Sequence, residues 1–231
     1  MKGTAMEIGK YFDLLMQGKT EQAEELRLKG IPDTLIKYVG LDGTDTDIDE
    51  KKFETLEHDS IWFTPKDNLN DPYEFKGILI DRPKLEEIEI PSALIDEFES
   101  ILDFSNYGIT CLTANLIDYL PMWAYYTNNH KGFCIEYETI KKIAIHEVLY
   151  EPERIKLANT ILRAIAATRN AFTTGSNSEM ELYTNLLLQG LFIKAASWKH
   201  EKEYRITLSL GCVSKVISRR NYASQSSVAA K

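Results

Sequence analysis

Three cysteines, Cys111, Cys134 and Cys212, are too few and too far apart for a disulfide scaffold, and no C-x-x-C pair occurs. Reduced thiols in a cytoplasmic protein are therefore expected. The chain has no stretch of about 18 uncharged apolar residues, so no membrane span is expected. Its first residues, MKGTAMEIGKYFDLLMQGK, mix acids and bases before any apolar run, unlike a signal peptide. There is no GxGxxG, no phosphate loop and no GxSxG. The four histidines, His58, His130, His146 and His200, lack metal-ligand spacing, so no metal is expected. An excess of positive charge is also missing. With 27 Lys and Arg against 35 Asp and Glu, the net charge is −8. That argues against a broad, nonspecific grip on nucleic acid, which needs many cations to displace counterions. A local basic groove remains open.

What is present suits an ordinary globular protein. In 231 residues, 44% are hydrophobic and 27% charged, enough to bury roughly 70% of the unfolded surface without a metal or disulfide. The pattern predicts an N-terminal helical segment over 1–31, one α+β domain over 32–218 and a flexible tail over 219–231. Two short helices are expected over 5–30, broken near Gly18 and stopped by Gly30 and Pro32. Strands are predicted at 34–39, 61–63, 107–113, 132–137 and 146–150. A hairpin pairs 204–210 with 213–217. Helices are predicted at about 48–57, with Phe53 and Leu56 inward, and from a Ser92 cap over Leu94, Ile95, Phe98, Ile101 and Leu102. Further helices are expected from Pro121, over about 152–172, and from a capping box at Ser178 and Glu181 toward Ser197. Strands and helices interleave without a regular βαβ repeat. A single domain with a central, mostly antiparallel split sheet flanked by helices is the fold expected.

Three motifs carry polar chemistry. Asn68-Leu69-Asn70-Asp71-Pro72-Tyr73-Glu74 is a turn by its residue types. It either closes a strand or presents Asn70 and Asp71 to a polar ligand such as a ribose. Met122 to Tyr137 sets Trp123, Tyr125 and Tyr126 before Asn129, His130, Lys131 and Gly132. The aromatics are either core packing or a stacking surface beside two cations suited to phosphate. In Trp198-Lys199-His200-Glu201-Lys202-Glu203-Tyr204-Arg205, a strand starting by Glu201 points Glu201, Glu203 and Arg205 one way. The choice there lies between a solvated edge with weak ion pairs and a site in which Arg205 holds one carboxylate and the other acts on substrate.

With those motifs in order, the chain resembles a bacterial family known as domain of unknown function 2971. The resemblance rests on Lys37-Tyr38, on Asn70-Asp71-Pro72-Tyr73-Glu74, on Trp123-x-x-Tyr126-x-x-x-His130-x-Gly132 and on Trp198-x-x-Glu201-x-Glu203-x-Arg205. It departs mildly at Ile36, where tyrosine is common, and at Thr64, where serine is common. The layout is in turn similar to that of ADP-ribosyltransferases, with Lys37 and Tyr38 on a first strand, Phe63-Thr64 ending a second, and Glu201-x-Glu203 late. That similarity implies NAD as substrate, with Glu203 stabilising an oxocarbenium-like ribosyl centre and Glu201 orienting the acceptor. Tyr126 or Trp123 would stack on nicotinamide, and Arg205, His130 or Lys131 would meet the pyrophosphate. Lys37, Tyr38, Thr64, Asn70, Asp71 and Trp198 complete the implied binding set. The partners expected are a nucleotide-type small molecule and a macromolecular acceptor, protein or nucleic acid, in a toxin or phage-defence setting. The alternatives are a metal-dependent nuclease or phosphodiesterase using Asp71, Glu74, Glu136, Glu201 and Glu203, and a non-enzymatic nucleotide- or protein-binding sensor. The transferase reading survives if Glu203, Thr64, Lys37 and His130 line one cleft, and fails if Glu203 faces bulk solvent away from the Asn70-Asp71-Pro72 turn. It expects Glu203→Gln to abolish turnover while leaving the melting temperature within a few degrees.

Overall fold

The computed structural model describes residues 10–11, 14–15, 17–65, 68–69, 71, 74–76, 78–140, 142, 145–151, 155–156, 158–175, 178–209 and 228–230. Gly18, at φ +71, turns the chain into helix α1 (Thr20–Lys29). Strand β1 (Thr34–Gly40) follows, then helix α2 (Thr46–Glu57), capped by the Asp45 side chain on the Ile48 N–H. Two short strands, β2 (Thr64–Pro65) and β3 (Ile78–Leu79), precede helices α3 (Arg82–Glu87) and α4 (Ser92–Ile101). Next come β4 (Tyr107–Thr113), α5 (Leu120–Tyr126) and β5 (Gly132–Thr139). The short strands β6 (His146–Glu147), β7 (Leu149–Glu151) and β8 (Ile155–Lys156) lead to α6 (Ala158–Thr174) and α7 (Ser178–Leu188). Strands β9 (Ile193–Ala195), β10 (Glu203–Ser209) and β11 (Val228–Ala230) complete the described chain.

The architecture is α+β. The main sheet is antiparallel, in the order β11-β5-β1-β4-β10-β6, with β2 also paired to β4. Two small parallel pairs, β3 with β8 and β7 with β9, lie apart from it. Strands β4 and β10 pair along their whole length, from Glu203 opposite Thr113 to Ser209 opposite Tyr107. The other edge of β4 is shared. Strand β1 meets it at Ile36 opposite Thr113, and β2 meets it at Thr64 opposite Ile109. Between those pairings the edge is vacated, so the sheet is split there, and the split positions the site described below.

Period-two alternation sorts the faces. Leu35, Leu112, Ile135, Tyr137, Tyr204 and Ile206 cluster with Ile31 on one side. Ile36 and Tyr38 pack with Met122 on the other. Helices α4, α6 and α7 bury a separate cluster that includes Ile95, Ile161 and Leu187.

Several local expectations are corrected. The strand foreseen at 61–63 is not one. The Trp62 carbonyl accepts from the Thr110 hydroxyl, and ladder pairing begins only at Thr64. Helix α2 buries no residue. Phe53 and Leu56 are exposed, and Phe53 stacks on Phe133 at 5.5 Å. Ser92 is the first residue of α4 after Pro91 and makes no side-chain cap. The helix read as running toward Ser197 stops at Leu188. Gln189–Phe192 tighten into a 3₁₀ turn, and Gly190 sits where a Cβ would come within 3.0 Å of the Phe104 ring. The chain then becomes strand β9 and a second 3₁₀ turn, Ala196–Glu201. The segment 146–150 is two strands rather than one: β6 joins β10, and β7 joins β9. In the segment read as a tail, Val228–Ala230 pair with β5. The foreseen strand 213–217, Cys212 and residues 219–227 lie outside the described residues.

His146 on β6 lies opposite Arg205 and stacks on Phe192 at 4.1 Å. Burial, with Arg27 nearby, pushes its imidazole down from 6.5 to about 4, against a smaller opposing effect of Glu24. A lowered histidine pKa means that the unfolded chain binds the extra proton first. Stability is therefore complete above about pH 6.5 and is lost as pH falls toward 4, by about 2–3 kcal/mol. His146→Phe keeps the ring stack and is expected to flatten that part of the stability profile. Urea midpoints between pH 4 and 7 check it: an unchanged slope in the variant assigns the acid limb to other groups.

Candidate functional site

The split in the sheet opens into a cavity of about 240 Å³. Its wall takes Lys37 and Tyr38 from β1, Thr64 from β2, Cys111 and Thr113 from β4, Met122 and Tyr126 from α5, and Lys194 from β9. Asn68, Asp71 and Glu74 enter from the turn after β2, and Trp198, Glu201 and Glu203 from the approach to β10.

Local sequence explains how two glutamates two residues apart reach one cavity. Glu203 is on β10, but Glu201 is the last residue of a 3₁₀ turn. Lys202 between them is left-handed at φ +47, a conformation that costs an L-residue roughly 1–2 kcal/mol. The bend is pinned from β4: the Thr113 hydroxyl and the Asn115 amide both donate to the Glu201 carbonyl, and Asn115 also donates to the carbonyl of His200.

Four of these wall residues, with Arg205 beneath them, form a dense ion cluster. Lys194 Nζ donates to Glu201 Oε2 at 2.6 Å and to Glu203 Oε2 at 2.9 Å, and stands 3.8 Å from Glu74 Oε2. Arg205 Nε donates to Glu203 Oε1 at 2.7 Å, its Nη1 to the Leu191 carbonyl at 2.7 Å and its Nη2 to Glu74. The Arg205 guanidinium also lies 5.1 Å over the Phe75 ring, and Lys194 5.0 Å over Trp198. None of these five charged residues is more than 7% exposed. The Tyr126 hydroxyl donates to Glu201 Oε1.

These contacts set protonation. Burial favours the neutral form of Glu203, but Arg205 and Lys194 outweigh it and hold that carboxyl well below its ordinary value. Burial dominates at Glu201 and raises it, against the pull of Lys194 and Tyr126. Burial also raises the Tyr126 phenol and the Cys111 thiol, so both stay protonated as donors. Lys37 lies on the face of β1 opposite Ile36 and Tyr38 and reaches the split, where its ammonium donates to the Thr110 hydroxyl at 3.3 Å. Burial lowers its pKa, while Cys111 and Glu203 act the other way. With three carboxylates and two cations in ion-pair contact, the cluster carries a formal charge of −1.

The sequence motifs are thus gathered in part. Glu201, Glu203, Lys37, Tyr38, Thr64, Asp71, Tyr126 and Trp198 line the cavity. Asn70 lies outside the described residues. Trp123 is behind the wall, edge-on to Tyr38 at 5.2 Å, with its indole N–H on the Ile117 carbonyl. Arg205 is fully buried beneath the cavity floor by internal partners. His130 and Lys131 are exposed and do not line the cavity. Asn128, Asn129 and His130 run left-handed at φ +47, +56 and +66, which suits asparagine and histidine better than most residues. Gly132 follows because a Cβ there would stand 2.2 Å from the Val39 carbonyl oxygen. The cleft expected of Glu203, Thr64, Lys37 and His130 therefore forms from three of the four. Motif reading missed Lys194, the centre of the cluster, which it placed on a helix. Glu203 also cannot be a freely replaceable carboxylate, since two buried cations depend on it. Glu203→Gln is accordingly expected to lower stability.

Among the described residues, no three His, Cys, Asp or Glu side chains come together as metal ligands. The clustered carboxylates face Lys194 and Arg205 instead. No described helix is long and apolar enough to cross a membrane.

Residues 122–206, from α5 into β10, match the model of the family described as protein of unknown function (DUF2971). No curated protein and no solved structure matches the chain.

Proposed function

We propose that the cleft cleaves the N-glycosidic bond of NAD in the manner of an ADP-ribosyltransferase. The observation supporting the reading is the split of β4's edge, which gathers Lys37, Thr64, Glu201 and Glu203 at one cavity over a cluster of formal charge −1. When the bond from ribose C1′ to the pyridinium nitrogen breaks, its electron pair goes to nitrogen and positive charge develops on the ribosyl group. A fixed, desolvated carboxylate stabilises that charge without reorganising. Glu203 suits the role because its cations keep it ionised. A carboxylate offers about four acceptor sites, so the bonds from Lys194 and Arg205 leave room for a ribose hydroxyl. Glu201, with its raised pKa, is suited to take the proton of the attacking hydroxyl or water.

Nicotinamide release from NAD tests the proposal, with water, protein and nucleic acid offered as acceptors. Glu203→Gln, assayed below its own melting temperature, is expected to lose about 100- to 1,000-fold in rate. Absence of release from the wild-type chain with every acceptor, or an unchanged rate in folded Glu203→Gln, would overturn the reading.

A further inference from the structure

The cavity is small and its charge is one-sided. Its volume of about 240 Å³ falls below the roughly 300–1,000 Å³ of clefts that enclose drug-sized ligands. It therefore encloses one nucleoside-sized piece of a dinucleotide. Two cations belong to its wall, Lys37 and Lys194. Lys194 is committed to carboxylates, and Lys37 comes from the opposite face of β1 and donates to Thr110. The cations that motif reading would offer to a pyrophosphate, Arg205, His130 and Lys131, are respectively sealed under the floor and exposed elsewhere. Opposite them stands the excess of Asp71, Glu74, Glu201 and Glu203 over Lys37, Lys194 and the underlying Arg205, a formal charge of −1.

Resting on the function proposed above, we infer that the unit this cavity recognises is the cationic pyridinium riboside alone, with the phosphates and the adenosine outside it. A positive heteroaromatic ring complements the formal charge of −1, and Tyr126 and Trp198 supply aromatic walls beside it. The ribose hydroxyls meet Glu203 and the polar side chains of Thr64 and Asn68. A phosphate brought into the same space would face four carboxylates, and Lys37, the wall cation outside the ion pairs, is held against Thr110, so phosphates add little affinity.

Calorimetric titration of the full chain with nicotinamide riboside, NAD, ADP-ribose and AMP tests this. Nicotinamide riboside is expected to bind within tenfold of NAD, and ADP-ribose and AMP at least tenfold more weakly than the riboside. Glu201→Gln brings the cluster to formal neutrality and should weaken the riboside about tenfold while leaving ADP-ribose unchanged. If NAD binds but the riboside is more than tenfold weaker, or if ADP-ribose or AMP matches it, the inference falls and the proposed NAD reaction stands. If neither NAD nor the riboside binds at millimolar concentration, the proposed function fails and the inference with it.

Discussion

Lys194→Met is expected to lower stability by about 3–5 kcal/mol at neutral pH, the range for removing one partner from a buried ion cluster. The substitution keeps an unbranched apolar chain of similar length and deletes the ammonium that lies 5.0 Å over Trp198. Glu74, Glu201 and Glu203 are then left with Arg205, and the formal charge moves from −1 to −2. A buried site resolves that excess by taking up a proton, and Glu201, already raised by burial, is the group to take it. The sign follows. A carboxyl whose folded pKa lies above its unfolded value stabilises the fold at low pH, and that contribution is lost as pH rises through the folded pKa. The penalty of Lys194→Met is therefore smaller at pH 5 than at pH 8, by about 1–2 kcal/mol. Urea midpoints of wild type and variant at the two pH values measure it. An equal loss at both would show that Lys194 acts by packing rather than charge.

The illegibility of Lys194 in the sequence has a physical cause. The apolar spacing from Leu182 to Leu191 continues a helical period without interruption, and nothing local announces the strand that carries Lys194. The break is imposed by tertiary contacts: Gly190 lies against the Phe104 ring, and β9 pairs with β7 in parallel. Strands β4 and β10 were readable to within a residue because alternation over seven residues with a buried face leaves little freedom of register. The split was legible only as an expected layout, since pairing of β1 and β2 to the same edge of β4 depends on long-range register. The motif from Trp123 to Gly132 was legible as an aromatic and polar block, but its parts separate. Tyr126 goes to the cavity, Trp123 to the wall behind, and Asn128 to Gly132 form a backbone turn that no side-chain pattern distinguishes from a phosphate site. A strand starting by Glu201 would point it beside Glu203, yet it reaches the same place from a 3₁₀ turn through a left-handed Lys202.

Arg205→Leu is expected to be the more damaging substitution, leaving little folded protein at 37 °C. The guanidinium uses three of its nitrogens on Glu203, Glu74 and the Leu191 carbonyl and is fully buried. Breaking the ion pairs costs about 3–5 kcal/mol. Leaving the Leu191 carbonyl without that donor adds about 1–3. The sum is comparable to the whole stability of a domain, about 5–15 kcal/mol. Arg205→Lys keeps the charge but not the planar fork, and should lose about half as much. Charge also dictates the rescue. Arg205→Leu leaves a formal charge of −2, and adding Glu74→Gln restores −1, so the double variant is expected to regain at least about 2 kcal/mol. Denaturant midpoints of the three variants measure these differences. They also separate two roles for this arginine. A ligand-binding arginine would lose affinity for NAD with stability retained. A residue that holds Glu203 in place loses stability first, and Arg205→Lys, where folded, retains within a few-fold the NAD affinity proposed above. Loss of affinity in a fully stable Arg205→Lys would return Arg205 to the binding surface and overturn its place beneath the floor.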